Sequence, residues 1–346
     1  MPHKLDFIGF GGVGRGLAEI LLERGSWLKE TFGSDFLVVS VSDLYKGSLH
    51  HPEGLDMQKV LDCLKKDGTV ENYPDTEGLV RGWDSIETIT QSNADTVIEI
   101  TFTNVETGQP AIDHCKTAFK AGKNAVLTNK GPVALAYKEL QALAEENGVR
   151  FLFEGTVMSG TPALRMPLTS LSGNRITSIK GIMNGTTNYV LTQMEQGMGY
   201  SEALQEAQSR GYAEADPTSD VEGYDVLYKV VILANVVMGA DLKKEDVERQ
   251  GITSLSAEDM LQAKNENKHW KLIGRVENDQ GTIKGSVKPE LLSEDDALAN
   301  VGGAVNAVTY ECDLSGPITL MGAGAGVPET GFALLIDLIN MDRNTI

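Results

Sequence analysis

Apolar residues recur along this chain in two alternating rhythms. Short runs rich in β-branched and aromatic residues, Lys4–Phe10, Phe36–Val41, Asp95–Thr101, Ala125–Thr128 and Val149–Glu154, predict buried strands. Between them Leu17, Ile20 and Leu21, then Met57, Val60, Leu61 and Leu64, follow helical spacing, as do a segment ending near Ala121 and Ala136–Asn147. Strands alternating with helices predict a parallel sheet in an α/β domain. Residues 44–93 read as an insertion made of a loop and a helix.

The rhythm changes further on. Ile176–Met183 is a partly alternating strand and Asn184 opens a helix. A helix near Ala257–Asn267 precedes strands at Trp270–Val276, Thr282–Val287, Ala307–Cys312 and Ile318–Met321, an order that suits antiparallel connections and an α+β domain. An amphipathic helix, Thr330–Met341, follows. The expected division is a first domain at 1–150, with the helix of 327–346 packing back on it, and a second at 151–326. The sheet of the second domain is a candidate dimer surface.

The most apolar helix carries the sharpest chemistry. Glu214–Met238 reads EADPTSDVEGYDVLYKVVILANVVM, with five carboxylates, one lysine and then an almost unbroken apolar run. Pro217 and its Ser/Thr/Asp neighbours break regular structure, and Asp220 is suited to cap the helix that follows. On that helix Glu222, Asp225 and Lys229 share one face. A solvated Asp–Lys pair at this spacing is worth only about 0.3–0.5 kcal/mol. Here Val226, Leu227, Val230, Val231, Ile232 and Leu233 leave little polar face, so the helix is expected to be buried. A buried lysine needs a partner or a task.

Other stretches have the look of binding sites. Strand Lys4–Phe10 runs into Gly9-Phe10-Gly11-Gly12-Val13-Gly14 and then a helix, the context of a dinucleotide-binding turn. Gly11 would let backbone approach a pyrophosphate at the helix N-terminus, and Gly14 would let helix pack on strand. Asp43 ends the second strand, where an acid suits the ribose 2′-hydroxyl of NAD. It also suits a turn, and the nearby Lys46 suits a 2′-phosphate, so both cofactors remain open. Thr101 and Lys130 sit just past later strands, on the edge where open α/β sheets bind ligands. Glu154 precedes a loop of small residues whose carbonyls suit a cation. Gly322-Ala323-Gly324-Ala325-Gly326 is a second glycine-rich loop. His50-His51 is expected to be solvated rather than metal-binding, since no further ligand is spaced to complete a site.

Composition narrows the class. The net charge of −19 disfavours nucleic acid and anionic membranes as partners and suits a small-molecule substrate. Three cysteines without CxxC spacing suit a reducing cytoplasm. No run approaches the roughly 18 apolar residues of a membrane span, and the start lacks an apolar signal segment.

Taken together, GFGGVGRG (9–16), LTNKGPVA (127–134), GIMNGTTNY (181–189), RGYAEADPTSDVEGYDVLYK (210–229) and GAGAG (322–326) resemble homoserine dehydrogenase. The resemblance covers essentially the whole chain, and 210–229 is its most specific segment. It implies a Rossmann-type nucleotide domain with a second α+β domain for catalysis and dimerisation. The implied reaction interconverts L-homoserine and L-aspartate 4-semialdehyde with NAD(P)(H), in threonine, methionine and isoleucine synthesis. Lys229 would transfer the proton at the homoserine hydroxyl, with Asp225 orienting it. Glu214 would bind the α-amino group and Asp220 would add a polar contact. Lys130 would lie near nicotinamide and substrate, and Gly185 and Thr186 would line the pocket. The cofactor set would be Gly9, Gly11, Gly12, Val13, Gly14, Asp43, Thr101, Lys130, Gly326 and Thr330. Glu154, with carbonyls of Val157, Ser159 and Thr161, would hold a structural Na⁺ or K⁺. Met158-Ser159 departs from the consecutive glycines of many relatives. Since the chain stops soon after the last helix, no C-terminal regulatory domain or fused aspartate kinase is expected, nor threonine feedback through one. A homodimer is implied.

Overall fold

The computed structural model describes residues 1–343 and divides into two compact units, one of Met1–Thr156 with the chain from Gly326 on, the other of Val157–Ala325. The first unit runs β1 (His3–Ile8), α1 (Gly12–Phe32), β2 (Phe36–Asp43), β3 (Gly47–His50), α2 (Met57–Asp67), β4 (Val80–Arg81), α3 (Ser85–Gln91), β5 (Thr96–Glu99), α4 (Ala111–Lys120), β6 (Asn124–Leu127), α5 (Lys130–Glu146) and β7 (Phe151–Leu152). Its sheet order is β4-β3-β2-β1-β5-β6-β7. The five strands from β2 to β7 are parallel, and β3 and β4 extend the β2 edge antiparallel. Strand order therefore reverses between β1 and β5. That is the switch point at which open sheets leave a crevice.

Within 44–93 the strands β3 and β4 were not foreseen, and they correct the expectation for His50. Its side chain is buried, its Nδ1 lies 2.8 Å from Ser40 Oγ, and its ring stacks on Trp83 at 4.8 Å. The helix expected at Ala136–Asn147 also begins earlier. Asn129 caps α5, its Oδ1 accepting from Gly131 N at 3.1 Å, and the helix begins at Lys130. Pro132 is tolerated there because first-turn N–H groups have no intrahelical partner to lose. The expected start at Ala136 marks a kink, with φ −140° and ψ 19°.

The second unit contains β8 (Ile176–Ile182), α6 (Gly185–Glu195), α7 (Tyr200–Ser209), α8 (Thr218–Val221), α9 (Tyr224–Val237), β9 (Glu248–Arg249), α10 (Ala257–Asn265), β10 (Lys268–Asp279), β11 (Thr282–Ser293), β12 (Val305–Cys312) and β13 (Gly316–Ala323). Its sheet order is β13-β12-β8-β10-β11-β9, and every pairing but β11 with β9 is antiparallel. Helix α9 lies close on this sheet because two strand residues opposite it are glycines. A Cβ on Gly274 would come within 2.7 Å of Val226, and one on Gly285 within 2.9 Å of Val230.

The last helix, α11 (Val327–Asp342), belongs to the first unit, where Gly16 lets it approach α1. A Cβ on Gly16 would meet Val327 at 2.8 Å. Asp337 on α11 accepts from Glu154 N at 2.9 Å. Positions 344–346, included in the sequence-based range for this helix, lie outside the described residues.

Candidate active site

In the second unit the side chains around Lys229 form one connected group. Lys229 is 7 % exposed, and its Nζ donates to Met183 O at 2.6 Å and to Asp225 Oδ2 at 2.7 Å. Asn184 Nδ2 donates to Asp220 Oδ1 at 2.7 Å and to Asp225 Oδ2 at 3.0 Å, so one amide spans both carboxylates. Asn184 also caps α6, its Oδ1 accepting from Thr187 N at 2.9 Å. Thr186 Oγ1 lies 2.5 Å from Tyr212 O and 3.0 Å from Asp220 Oδ2. A hydroxyl carries a single proton. If Thr186 donates to the carbonyl, the contact with Asp220 is favourable when Asp220 Oδ2 itself holds a proton.

The electrostatics point the same way. Burial, and after it the negative charge of Asp225, push the Asp220 carboxyl above its ordinary value, outweighing donation from Asn184 and Thr186 and the charge of Lys229.

Local structure departs from the sequence expectation here. Asp220 does not cap the lysine helix but lies within the short helix α8. Gly223 at φ 81° breaks the chain, and α9 starts at Tyr224, so Glu222 is not on the face shared by Asp225 and Lys229. Gly185 is required by close approach, since a Cβ there would stand 2.8 Å from Ala304 O. Glu214 is not drawn into the group. Its side chain is exposed and makes no hydrogen bond or ion pair among the described residues. Asn184 was visible in the sequence only as a helix cap; its carboxylate partners stand 36 and 41 residues away.

In the first unit, Gly9 ends β1 with φ +90°, and a Cβ there would stand 2.7 Å from Ile100 O. Gly14 likewise abuts Ile100 and Phe10, at 2.8 and 3.0 Å. Gly11 is different, because a Cβ built on it meets nothing within 4 Å. It occupies the cap position of α1 without a side-chain cap, and the first turn, which includes Gly12 and Val13, has no acidic residue. First-turn N–H groups without intrahelical partners, next to the open space at Gly11, fit an anion such as a pyrophosphate.

Asp43 is held just past that turn. It accepts from Phe10 N at 2.7 Å, Tyr45 N at 3.0 Å, and Lys46 N and Nζ at 3.1 and 3.3 Å. Burial alone would raise its carboxyl, but these donors and the Lys46 charge hold it below the ordinary value. Thr101 follows β5, and Asn129 Nδ2 donates to its carbonyl at 3.3 Å. Gly326, at φ 132°, opens α11, with Thr330 Oγ1 donating to its carbonyl at 2.7 Å.

Of the proposed cation ligands, Glu154 is buried in a 3₁₀ turn of the first unit. Val157, Ser159 and Thr161 open the second. Met158 and Ser159 are both left-handed, at φ 58° and 53°, the conformation glycine adopts without penalty. The Thr161 carbonyl accepts from Ala163 N at 2.7 Å. No group of three or more His, Cys, Asp or Glu side chains suited to a metal occurs among the described residues.

A parallel sheet reversing order between β1 and β5, a glycine turn at that point and an acid ending β2 define a protein of the Rossmann-type dinucleotide-binding class, here with a second α+β unit. Comparison with known proteins narrows the class. The family model for homoserine dehydrogenase matches residues 162–339. An NAD(+)-dependent homoserine dehydrogenase from Pseudomonas canavaninivorans is 46% identical over 99% of this chain and 97% of its own. A homoserine dehydrogenase from Methanocaldococcus jannaschii is 40% identical over 98% of both. Among solved structures, a hyperthermophilic archaeal homoserine dehydrogenase in complex with NADPH superposes with a TM-score of 0.84 at 31% identity, covering 99% of this chain and 98% of that one. The chain belongs to the homoserine dehydrogenase family.

Proposed function

We propose that the protein interconverts L-homoserine and L-aspartate 4-semialdehyde with NAD(P)(H), using Lys229 as the acid/base. One observation carries this assignment. Lys229 is buried, two of its three N–H bonds are committed to Met183 O and Asp225, and the third has no acceptor among the described residues. A spare donor on a nearly dry ammonium beside two carboxylates suits an amino acid with a side-chain alcohol. Bound NAD(P)⁺ supplies the hydride acceptor. In reduction the Lys229 ammonium gives a proton from Nζ to the forming alkoxide oxygen; in oxidation the neutral amine, having first released a proton, takes the hydroxyl proton. Asp225 fixes the direction of that amine, and Asn184 fixes Asp225.

Glu214 receives the substrate ammonium and Asp220 adds a polar contact, while Gly185 and Thr186 line the pocket. In the first unit Gly9, Gly11, Gly12, Val13 and Gly14 hold the pyrophosphate, with Thr101, Lys130, Gly326 and Thr330 completing the cofactor set. Four donors already occupy Asp43, so a ribose 2′-hydroxyl reaches it once the Lys46 ammonium swings away. A 2′-phosphate would draw off the same ammonium. The loop from Glu154 to Thr161 is the candidate cradle of a structural Na⁺ or K⁺, with carbonyls as ligands.

The assembly we assign is a homodimer in the cytoplasm. Strand β13 supports it as an edge strand with Pro317, Thr319, Met321 and Ala323 exposed. No helix among the described residues is long and apolar enough to cross a membrane.

Initial rates at 340 nm, with each amino acid offered with NAD⁺ and with NADP⁺, test the function. L-homoserine is expected to exceed L-serine and L-threonine by about 100-fold or more in kcat/KM. Equal rates with all three would defeat the substrate assignment.

Asp220→Asn gives a test with opposite signs. A carboxyl raised in the folded state contributes nothing below its unfolded value, where both states are protonated. It costs stability as pH rises, because the unfolded chain ionises first. The variant is therefore expected to melt higher than wild type at pH 8 and equally at pH 3. It should also lose about 10- to 100-fold in kcat/KM for homoserine, the worth of a hydrogen bond to a charge. A lower melting point at pH 8 would refute the charge argument.

A further inference from the structure

One buried ionisable cluster has no part in the chemistry above. Glu99 ends β5 and is fully buried. Its Oε1 accepts from Thr101 Oγ1, from Thr101 N at 3.3 Å, and from His114 Nδ1 at 3.3 Å. Its Oε2 has no partner. His114, on α4 and 2 % exposed, lies with Nε2 2.9 Å from Ser85 Oγ. An Nδ1–H tautomer satisfies both ring nitrogens, with the serine hydroxyl donating to Nε2. On the other side of Thr101, Asn129 Nδ2 donates to the Thr101 carbonyl at 3.3 Å, while Asn129 Oδ1 caps the helix that begins with Lys130.

A carboxylate loaded on one oxygen and bare on the other is a poor way to stabilise a fold, since a buried acceptor without a donor is costly. The arrangement does accomplish one thing. It pins both donors of Thr101, a residue in the turn after β5, and through Asn129 links that turn to the start of α5. These are the turns after neighbouring parallel strands, on the edge where this sheet type binds its ligand.

We propose that Glu99 is a positioning residue for the cofactor, holding the Thr101 turn and, through Asn129, the N-terminus of α5 at Lys130 in their binding geometry. This rests on the assignment of Thr101 and Lys130 above and adds the residue that sets them. The acceptor oxygen, rather than the charge, performs the task, so glutamine should replace glutamate and alanine should not.

Fluorescence titration with NADH and NADPH, together with steady-state kinetics, tests it. Glu99→Ala is expected to raise Kd and KM for the cofactor at least about tenfold, while KM for homoserine at saturating cofactor stays within about twofold. Glu99→Gln should bind the cofactor within about threefold of wild type. A purely structural brace would lower Tm without this split. The inference is overturned if folded Glu99→Ala binds like wild type, or if Glu99→Gln is as weak as the alanine variant. Should Glu99→Ala fail to fold, Glu99→Met, of similar size but without an acceptor oxygen, takes its place beside Glu99→Gln, which keeps one. The methionine variant should bind the cofactor at least about fivefold more weakly than wild type; methionine binding at wild-type strength overturns the proposal. If the wild-type protein binds neither nucleotide, the dinucleotide assignment falls and this inference with it. If wild type binds and Glu99→Ala matches it, only the positioning role falls.

Discussion

In the Lys229→Ala variant, kcat for homoserine oxidation is expected to fall by about 10²- to 10⁴-fold, the usual worth of a positioned acid or base. The case rests on where the amine sits. The ammonium of Lys229 is held on two sides, by a backbone carbonyl and by Asp225, in surroundings that admit little water. Deleting one member of a buried pair costs about 3–5 kcal/mol, so the variant should also melt earlier. Measuring cofactor affinity separates lost chemistry from lost fold. Kd for NAD(P)H should stay within about threefold, because the residues assigned to the cofactor belong to the first unit and Lys229 to the second. Unchanged turnover in a folded variant would remove Lys229 from the mechanism.

The second large effect is expected at Gly11. Gly11→Thr should weaken NAD(P)H binding by at least about 100-fold while changing stability by less than about 1 kcal/mol. The position has ordinary extended backbone, φ −73° and ψ −154°, and nothing protein-borne lies within 4 Å of an added Cβ. Threonine is also an acceptable helix cap. Neither strain nor internal collision then opposes the substitution, and any loss of affinity reports a ligand that approaches the backbone there. Gly9 offers no such separation. Its φ of +90° and its contact with Ile100 O would turn a side chain into a folding defect. Equilibrium titration and a urea melt on Gly11→Thr check both halves. Wild-type affinity would show that the pyrophosphate does not lie against Gly11.

Much of this architecture is legible in the sequence because burial leaves a periodic trace. The strand–helix alternation of the first unit and the strands after Ala257 appear wherever apolar residues cluster. What the sequence hides is settled by backbone conformation or by distant partners. β3 is four residues, GSLH, too short and polar to stand out, and His50 is buried only because Ser40 and Trp83 receive it. The segment before Lys229 reads as one capped helix, yet left-handed Gly223 splits it and moves Glu222 off the shared face.

Burial of a lysine is itself not enough to mark a site. Lys271 is 1 % exposed and also unannounced by its strand pattern, but its Nζ donates to Val301 O at 2.9 Å and pins a loop. Burial also depresses it from its ordinary value. The carboxylate four residues upstream is what distinguishes Lys229 in the sequence. Asn184, by contrast, gives no local sign of the carboxylates it bridges. Likewise Glu99 reads as one more strand residue until Thr101 and His114 are seen around it.

Amine rescue of Lys229→Ala addresses the proton-transfer role most directly. With homoserine and NAD(P)⁺ saturating, added methylamine or ethylamine should restore turnover in proportion to its concentration, as a free base filling the vacated space. The same amines should leave the wild-type enzyme unaffected. Lys229→Ala oxidising homoserine at the wild-type rate with no amine present would contradict the assignment of proton transfer to this side chain.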